Sequence, residues 1–436
     1  MKTINSIPIG KIQRASKLLQ TGAKVGVNYI KYYGDRLAGD EDKAKQKLDN
    51  ANAEDIYDSL KNLKGSALKV AQMLSMEKNL LPGAYVEKFS LSQFSVPPLS
   101  PPLVIKTFKK YFGKSPQELF DRFDTNAINA ASIGQVHLAE KNGKKLAVKI
   151  QYPGVAQSIV SDLALVKPIA IKMFNIQGKG SDQYFKEVRE KLEEETDYIL
   201  EVSQSEELAK ACGHIPNISF PTYYPEFSGK QIITMDWMEG VHLSEYTASN
   251  VSREKANIIG QALWDFYMFQ IHEVKKVHAD PHPGNFLVTK NTELVVLDFG
   301  CVKVIPDTFY VPYFELAKKE NLNNADFFRK KLFELEILKE DDSQEEERFF
   351  ISMFHDMLSL FTQPFHVSHF DFSDPVFFEK IASLGERFSK DTTLRKMNGN
   401  RGSRHFIYMN RTFFGLYNLM HDLKADNIEI NRFSQL

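Results

Sequence analysis

Three polar side chains stand at a spacing that suits phosphoryl transfer. Asp280 and Asn285 are five apart in HADPHPGNF, and Asp298 follows at the end of the apolar run LVVLDFG. Such a reaction needs a divalent cation to neutralise phosphate oxygens and a carboxylate to orient or deprotonate the nucleophile. Asp280 is spaced to be that carboxylate. Asn285 and Asp298 are spaced to offer the hard oxygen donors that magnesium takes. D-x-x-x-x-N followed by D-F-G is far more specific than a lone glycine motif. Zinc is a competing chemistry, through His278, Asp280 and His282. Pro281 and Pro283 deny these residues the i, i+4 arrangement of a zinc-binding helix, which argues against it.

Lys149 lies in LAVKI, on the second strand of a hairpin in which SIGQVHLAE and KKLAVKIQ flank a KNG turn. A strand lysine under a phosphate-covering turn is placed for the α- and β-phosphates of a nucleotide. It needs an acidic partner. A helix expected over 181–211 offers Glu195, Asp197 and Glu201. Glu195 falls on the apolar stripe of Phe185, Val188, Leu192, Ile199 and Val202, where a carboxylate must meet a cation or stay protonated. Asp197 and Glu201 are i, i+4 neighbours on another face. Six residues at roughly 100° each leave Glu195 and Glu201 about 120° apart. The helix is therefore expected between two charged surfaces, one of which needs a second lysine. The loop before the hairpin holds Asn129, Ala130, Ala131 and Ser132, with one glycine, Gly134. It should be stiffer than a glycine-rich phosphate loop.

Periodicity predicts the elements that carry these residues. A helix over 10–36 sets Ile12, Ala15, Leu19, Ala23, Gly26, Ile30 and Tyr33 opposite Lys11, Arg14, Lys17, Lys24 and Lys31, with Arg36 at its end. That pattern suits an anionic membrane surface. Packing on the rest of the chain, or on a second copy as a homodimer, is the alternative. Residues 37–53 read as a polar linker. A second helix over 54–79 carries Ile56, Leu60, Leu63, Ala67, Val70 and Leu74, and puts Lys69 and Gln72 on one face. VPPLSPP at 96–102 must be extended. A helix at 103–112, the hairpin, the helix over 181–211, and strands in ISFPTYY and QIITMDWM follow. A long helix over 252–275 precedes HADPHPGNF. The stretch 305–436 reads as helical, with EDDSQEEER at 340–348 a solvated helix start or loop. After DFG a helix is expected within about ten residues, with no A-P-E, and Ala279 stands where many protein kinases have arginine. A peptide-docking platform is expected to be absent.

The expected fold class is α+β. It is protein-kinase-like and two-lobed, with an N-terminal helical extension and a mostly helical C-lobe. The expected divisions are 1–53 as basic helix and linker, 54–124 as helical extension, 125–240 as N-lobe and 241–436 as C-lobe. Among the 436 residues, 55 basic and 56 acidic side chains nearly cancel, which does not indicate nucleic-acid binding by bulk charge. The two cysteines, Cys212 and Cys301, exclude a disulfide framework and point to a reducing, intracellular compartment. The N-terminus lacks an apolar signal core, and no apolar run reaches 18 residues. The expected location is cytoplasmic, with peripheral attachment at the inner face of a membrane.

Several motifs together resemble the UbiB-like atypical kinase family, whose members support ubiquinone biosynthesis. The family's AAASIGQVH loop reads NAASIGQVH here. Its K-x-G-Q motif is matched by Lys69-Val70-Ala71-Gln72, with alanine for glycine, and its E-x-D motif by Glu195-Thr196-Asp197. A following helix glutamate is matched by Glu201. Asp280, Asn285 and Asp298 match the catalytic aspartate and metal ligands. Met235, Asp236, Trp237 and Met238 match the hinge, whose backbone contacts adenine. The resemblance implies a protein-kinase-like fold, binding of ATP or ADP with Mg2+, ATPase activity, and association with membranes and lipid quinone precursors. The other functions weighed are a small-molecule phosphotransferase of aminoglycoside or homoserine kinase type, and a nucleotide-sensing scaffold without turnover. The first leaves the K-x-A-Q helix and alanine-rich loop unexplained. The second leaves the full set of Lys149, Asp280, Asn285 and Asp298 without a purpose.

Overall fold

A computed structural model describes residues 11–38, 41–63, 69–70, 88, 98–130, 133–174, 180–390 and 401–432. The chain divides into two units. One comprises Met1–Val202 and Thr222–Trp237, the other Ser203–Pro221 and Met238–Leu436.

The first unit is organised around an antiparallel sheet. Asn142 and Gly143 have φ of 52° and 76°, the left-handed pair that a two-residue type I′ hairpin requires. Their turn joins β3 (Gly134–Lys141) to β4 (Lys144–Gln151). Upstream, β1 (Arg122–Phe123) and β2 (Asn129–Ala130) pair with β3, and the strand Ile232–Asp236 pairs with β4 on its other side.

The helix predicted over 181–211 is two helices, Gly180–Glu195 and Tyr198–Cys212. Asp197 marks the break. Its carboxylate accepts the Leu200 N–H at 3.1 Å, an N-cap bond for the second helix. Thr196 Oγ1 donates back to the Glu193 carbonyl at 3.0 Å, a local bond that competes with helix continuation. The stripe is interrupted with the helix: Phe185, Val188 and Leu192 are buried, but Ile199 is 54% exposed. Asp197→Ala is expected to lower stability by about 1 kcal/mol, read from thermal unfolding of the full chain.

Two expectations in the N-terminal region are corrected. Residues 41–53, read as linker, are the first turns of α2 (Glu41–Leu63), which follows α1 (Lys11–Ala38). Ala44, Leu48 and Ala53 are buried ahead of Ile56 and Leu60, so the apolar stripe begins upstream among the charged residues that hid it. The face that α1 turns toward α2 is mixed, with Val25 packed against the apolar cluster of Ile56, Tyr57 and Leu60 beside polar pairs. Asn28 donates to Asn52 at 3.0 Å and to Asp55 at 2.9 Å, while Val27, Ile30 and Tyr33 are exposed. Of the predicted stripe, Ala23, Gly26, Ile30 and Tyr33 therefore do not lie on the packed side of α1. Residues 71–79, and Gln72 with them, lie outside the described residues.

The second unit packs around the helix Arg253–Phe269, whose Trp264 Nε1 donates to the Ile430 carbonyl at 3.0 Å. The helix predicted over 252–275 ends as one π-turn, Gln270–Val274, closed by left-handed Lys275. Short strands Lys276–His278, Phe286–Val288 and Leu294–Val296 bracket the loop HADPHPGNF and lead to Asp298. The strand Val302–Val304 pairs back with Lys276–His278, and a helix begins at Asp307. Within the acidic run 340–348, Ser343 and Glu346 form a capping box for the helix Gln344–Phe361.

Candidate functional site

In the first unit, Lys149 stands in the interior of the sheet, with Val136 and Ile233 as its register partners. Its Nζ is 2.7 Å from Glu201 Oε1 and lies over the Tyr198 ring. Of the three candidate carboxylates, Glu201 is the one that meets Lys149. The Glu201 side chain is only 3% exposed, and its position on the Tyr198–Cys212 helix follows from the break at Thr196–Asp197. Removing one partner of a buried ion pair leaves the other charge uncompensated. Glu201→Gln is therefore expected to destabilise the chain by about 3–5 kcal/mol, measured by denaturant unfolding.

Glu195 is held differently. Lys69 Nζ lies 3.0 Å from its Oε2, and Lys191 Nζ lies 3.9 Å from Oε1. All three side chains are largely buried, so the carboxylate is compensated by two cations. Lys191 was missed by the sequence reading, although its i, i+4 spacing to Glu195 was an available signal. Asp197 does not join this group; it is exposed and caps its helix.

Ala130 pairs with Gln135 at the start of β3, while Ala131 and Ser132 lie outside the described residues. Gly134 is required by packing, because a Cβ there would come within 2.8 Å of the Ile150 carbonyl oxygen and of the Tyr198 hydroxyl. Met235 is buried with Ala147, Tyr198 and Ile233, and Val136 and Trp237 pack against this cluster. Val136 and Ala147 carry no chemistry that sequence reading could detect. Asp236 accepts the Tyr224 hydroxyl at 2.7 Å and the Thr222 N–H at 3.1 Å. Burial opposes ionisation, but these bonds hold its carboxyl below the usual range. Trp237 N–H donates to the Lys145 carbonyl at 3.1 Å.

The second unit holds the other candidates. Asn285 Nδ2 donates to the Asp280 carbonyl at 3.0 Å and reaches Asp280 Oδ2 at 3.4 Å. The Asn285 carbonyl accepts Leu297 N–H at 3.0 Å, tying the loop to the residue before Asp298. Asp298 Oδ1 accepts Gly300 N–H at 2.8 Å, and Phe299 is fully buried beside Phe266 and His278. Met238, the last hinge candidate, is partly buried in this unit.

The donor chemistry fits magnesium. With Nδ2 committed to Asp280, the amide oxygen of Asn285 is the atom it can offer a cation, next in sequence logic to the Asp298 carboxylate. Zinc does not fit the histidines. His278 Nδ1 is 3.2 Å from the buried Tyr267 hydroxyl, and His282 Nδ1 accepts Gly284 N–H at 3.1 Å. Among the described residues, no group of three or more His, Cys, Asp or Glu could hold a metal. Burial, and then the charge of Asp280, pushes the Tyr267 hydroxyl well above its ordinary pKa, so it stays protonated beside the loop.

The ABC1 atypical kinase-like domain matches residues 91–329, more than half of the chain. The chain belongs to this family of atypical kinase-like proteins. It is 30% identical over 339 residues to the mitochondrial atypical kinase COQ8 of Saccharomyces cerevisiae, covering 76% of this chain and 66% of that one. It is also 30% identical over 287 residues to a chloroplastic aarF domain-containing protein kinase of Arabidopsis thaliana, covering 65% and 40%. A Mycobacterium tuberculosis protein solved in complex with erythromycin has a TM-score of 0.61 at 23% identity, over 91% of this chain and 98% of that chain. The fold is thus α+β and kinase-like, and the family is that of the AarF, UbiB and COQ8 proteins. The chain spans between 33% and 66% of the length of the curated relatives it matches.

Proposed function

We propose that this chain binds magnesium–ATP and hydrolyses it, or passes its γ-phosphoryl group to a small acceptor, in support of quinone-type lipid metabolism. The observation that carries this reading is the 2.7 Å pair between Lys149 on an interior strand and buried Glu201 on a helix. Such a pair holds a lysine ready for the α- and β-phosphates. Val136, Ala147 and Met235 offer an apolar face for adenine. Asn285 and Asp298 would hold the magnesium, whose charge would offset that of the phosphate oxygens. Asp280 orients the attacking water or hydroxyl and accepts its proton as the bond to the γ-phosphorus forms. The bond from the γ-phosphorus to the bridging oxygen breaks, and ADP leaves with that oxygen. The short run from Gly300 to the helix at Asp307 favours hydrolysis or a small acceptor over a peptide. The quinone-type assignment rests on the resemblance of the alanine-rich loop and the K-x-A-Q and E-x-D motifs. Phosphate release is measured with and without Mg2+, and with candidate acceptors. Release without a phosphorylated acceptor supports the ATPase; labelled acceptor supports transfer. Absence of both nucleotide binding and phosphate release would remove the proposal.

A membrane partner belongs to the same reading. Val27, Ile30 and Tyr33 are exposed on α1, alongside the exposed Lys31. Lys24 and Arg36 pair with Asp55 and Glu41 at 3.2 Å, leaving less basic charge for lipid than the sequence suggested. Among the described residues no helix is long and apolar enough to cross a membrane. The full chain is expected to co-sediment with anionic vesicles at low salt, and a chain lacking residues 1–40 to lose most of that binding. Equal sedimentation of both would exclude α1 as the contact.

A further inference from the structure

Successive residues of β3 face opposite sides of the sheet. Val136 packs toward Ala147, Tyr198 and Met235. Gln135 and His137 lie on the other side, 1% and 0% exposed, with the His137 ring stacked on Phe123. Three hydrogen bonds run through this pair. Leu99 N–H donates to Gln135 Oε1 at 2.7 Å. Gln135 Nε2 lies 2.8 Å from His137 Nε2. His137 Nδ1 lies 2.9 Å from the carbonyl oxygen of Asp124.

The directions follow from donor and acceptor chemistry. A carbonyl oxygen only accepts, so His137 Nδ1 carries the proton. Gln135 Oε1 faces an N–H, so the other end of that amide is the NH2, which only donates. His137 Nε2 must then be the bare acceptor. We infer that neutral His137, as its Nδ1–H tautomer, fixes the amide of Gln135, and that the two are positioning residues for nucleotide binding. They pin Leu99, just before the helix Pro101–Phe112, to the register in which Gln135 opposes Ala130 of the candidate phosphate loop. The inference rests on the nucleotide binding proposed above. Neither residue is on the adenine-facing side of β3, so neither is a catalytic residue.

The chain tolerates no second proton. An imidazolium would set two donors face to face at Nε2. Turning the Gln135 amide over to meet it would set its NH2 against the Leu99 N–H. Burial holds the His137 imidazole below its usual pKa, against the opposing pull of the Asp124 carbonyl and carboxylate.

The tautomer is read on the full-length wild type by 15N NMR of labelled histidine. The expected result is a protonated Nδ1 and a bare Nε2, unchanged at about pH 6, below the ordinary histidine value of about 6.5. ATP affinity is then compared in two variants that each keep half of the ring's bonding. His137→Gln retains an acceptor near the Nε2 position and should bind ATP within about twofold of wild type. His137→Asn retains only the Nδ1 side, leaves the buried Gln135 amide unsatisfied, and should weaken ATP binding by about tenfold. Thermal unfolding without nucleotide checks that both fold. A bare Nδ1, or equal losses in the two variants, would overturn the positioning role alone. Absence of ATP binding by the wild type would overturn the proposed function and the positioning role together, whatever the tautomer.

Discussion

Asp298→Asn is expected to abolish the magnesium-dependent part of stabilisation by ATP. A ligand that binds only the folded state, present at 100 times its Kd, stabilises by about 2.7 kcal/mol. The wild type should therefore melt several degrees higher with ATP and Mg2+ than with ATP and a chelator. The substitution keeps the size of the side chain and an oxygen able to accept the Gly300 N–H at 2.8 Å, so the turn after Asp298 should persist. What it removes is the negative charge that a hard cation takes from a carboxylate. The variant's melting temperature should then not respond to the chelator. Equal shifts in wild type and variant would exclude Asp298 as a magnesium ligand.

Asp280→Asn should separate binding from turnover. The principal bond from Asn285 Nδ2 runs to the main-chain carbonyl of residue 280, at 3.0 Å, and the contact to the carboxylate is the longer one at 3.4 Å. The loop should therefore keep its shape when the carboxylate becomes an amide. The variant is expected to retain stabilisation by magnesium–ATP while losing phosphate release by about 10²–10⁴-fold, the contribution of a positioned general base. Undiminished release would assign proton acceptance elsewhere. Lost stabilisation together with lost release would place Asp280 in nucleotide binding.

Much of what was legible in the sequence is local. Asn-Gly between two alternating runs could only be a tight hairpin, because few residues other than asparagine and glycine take left-handed backbone readily. A five-residue separation in a proline-rich loop keeps Asp280 and Asn285 close whatever else the chain does. The family and the kinase-like fold were likewise readable, since several independent motifs occur in one order. The break at Thr196–Asp197 was not. A Thr-Asp pair is tolerated inside many helices, and here its side-chain bonds to Glu193 and Leu200 win over continuation. Once the helix breaks, the calculated 120° between Glu195 and Glu201 loses its meaning, because angular phase is not carried across a cap.

By itself, the sequence determined which residue types recur at helical, strand and loop spacings, and hence the fold class, the hairpin and the loop that joins Asp280 to Asn285. Covalent geometry limits those separations to a few bonds, so neighbours in sequence suffice to set them. Tertiary structure alone decided the long-range pairings: Glu201 rather than Glu195 for Lys149 at 52 residues' distance, Lys69 and Lys191 around Glu195, Asn28 of α1 on Asn52 of α2, and Leu99 on Gln135. Each of these depends on which surfaces are buried together. A buried charge or amide must find whatever partner packing brings within about 3 Å, and no spacing along the chain records that choice.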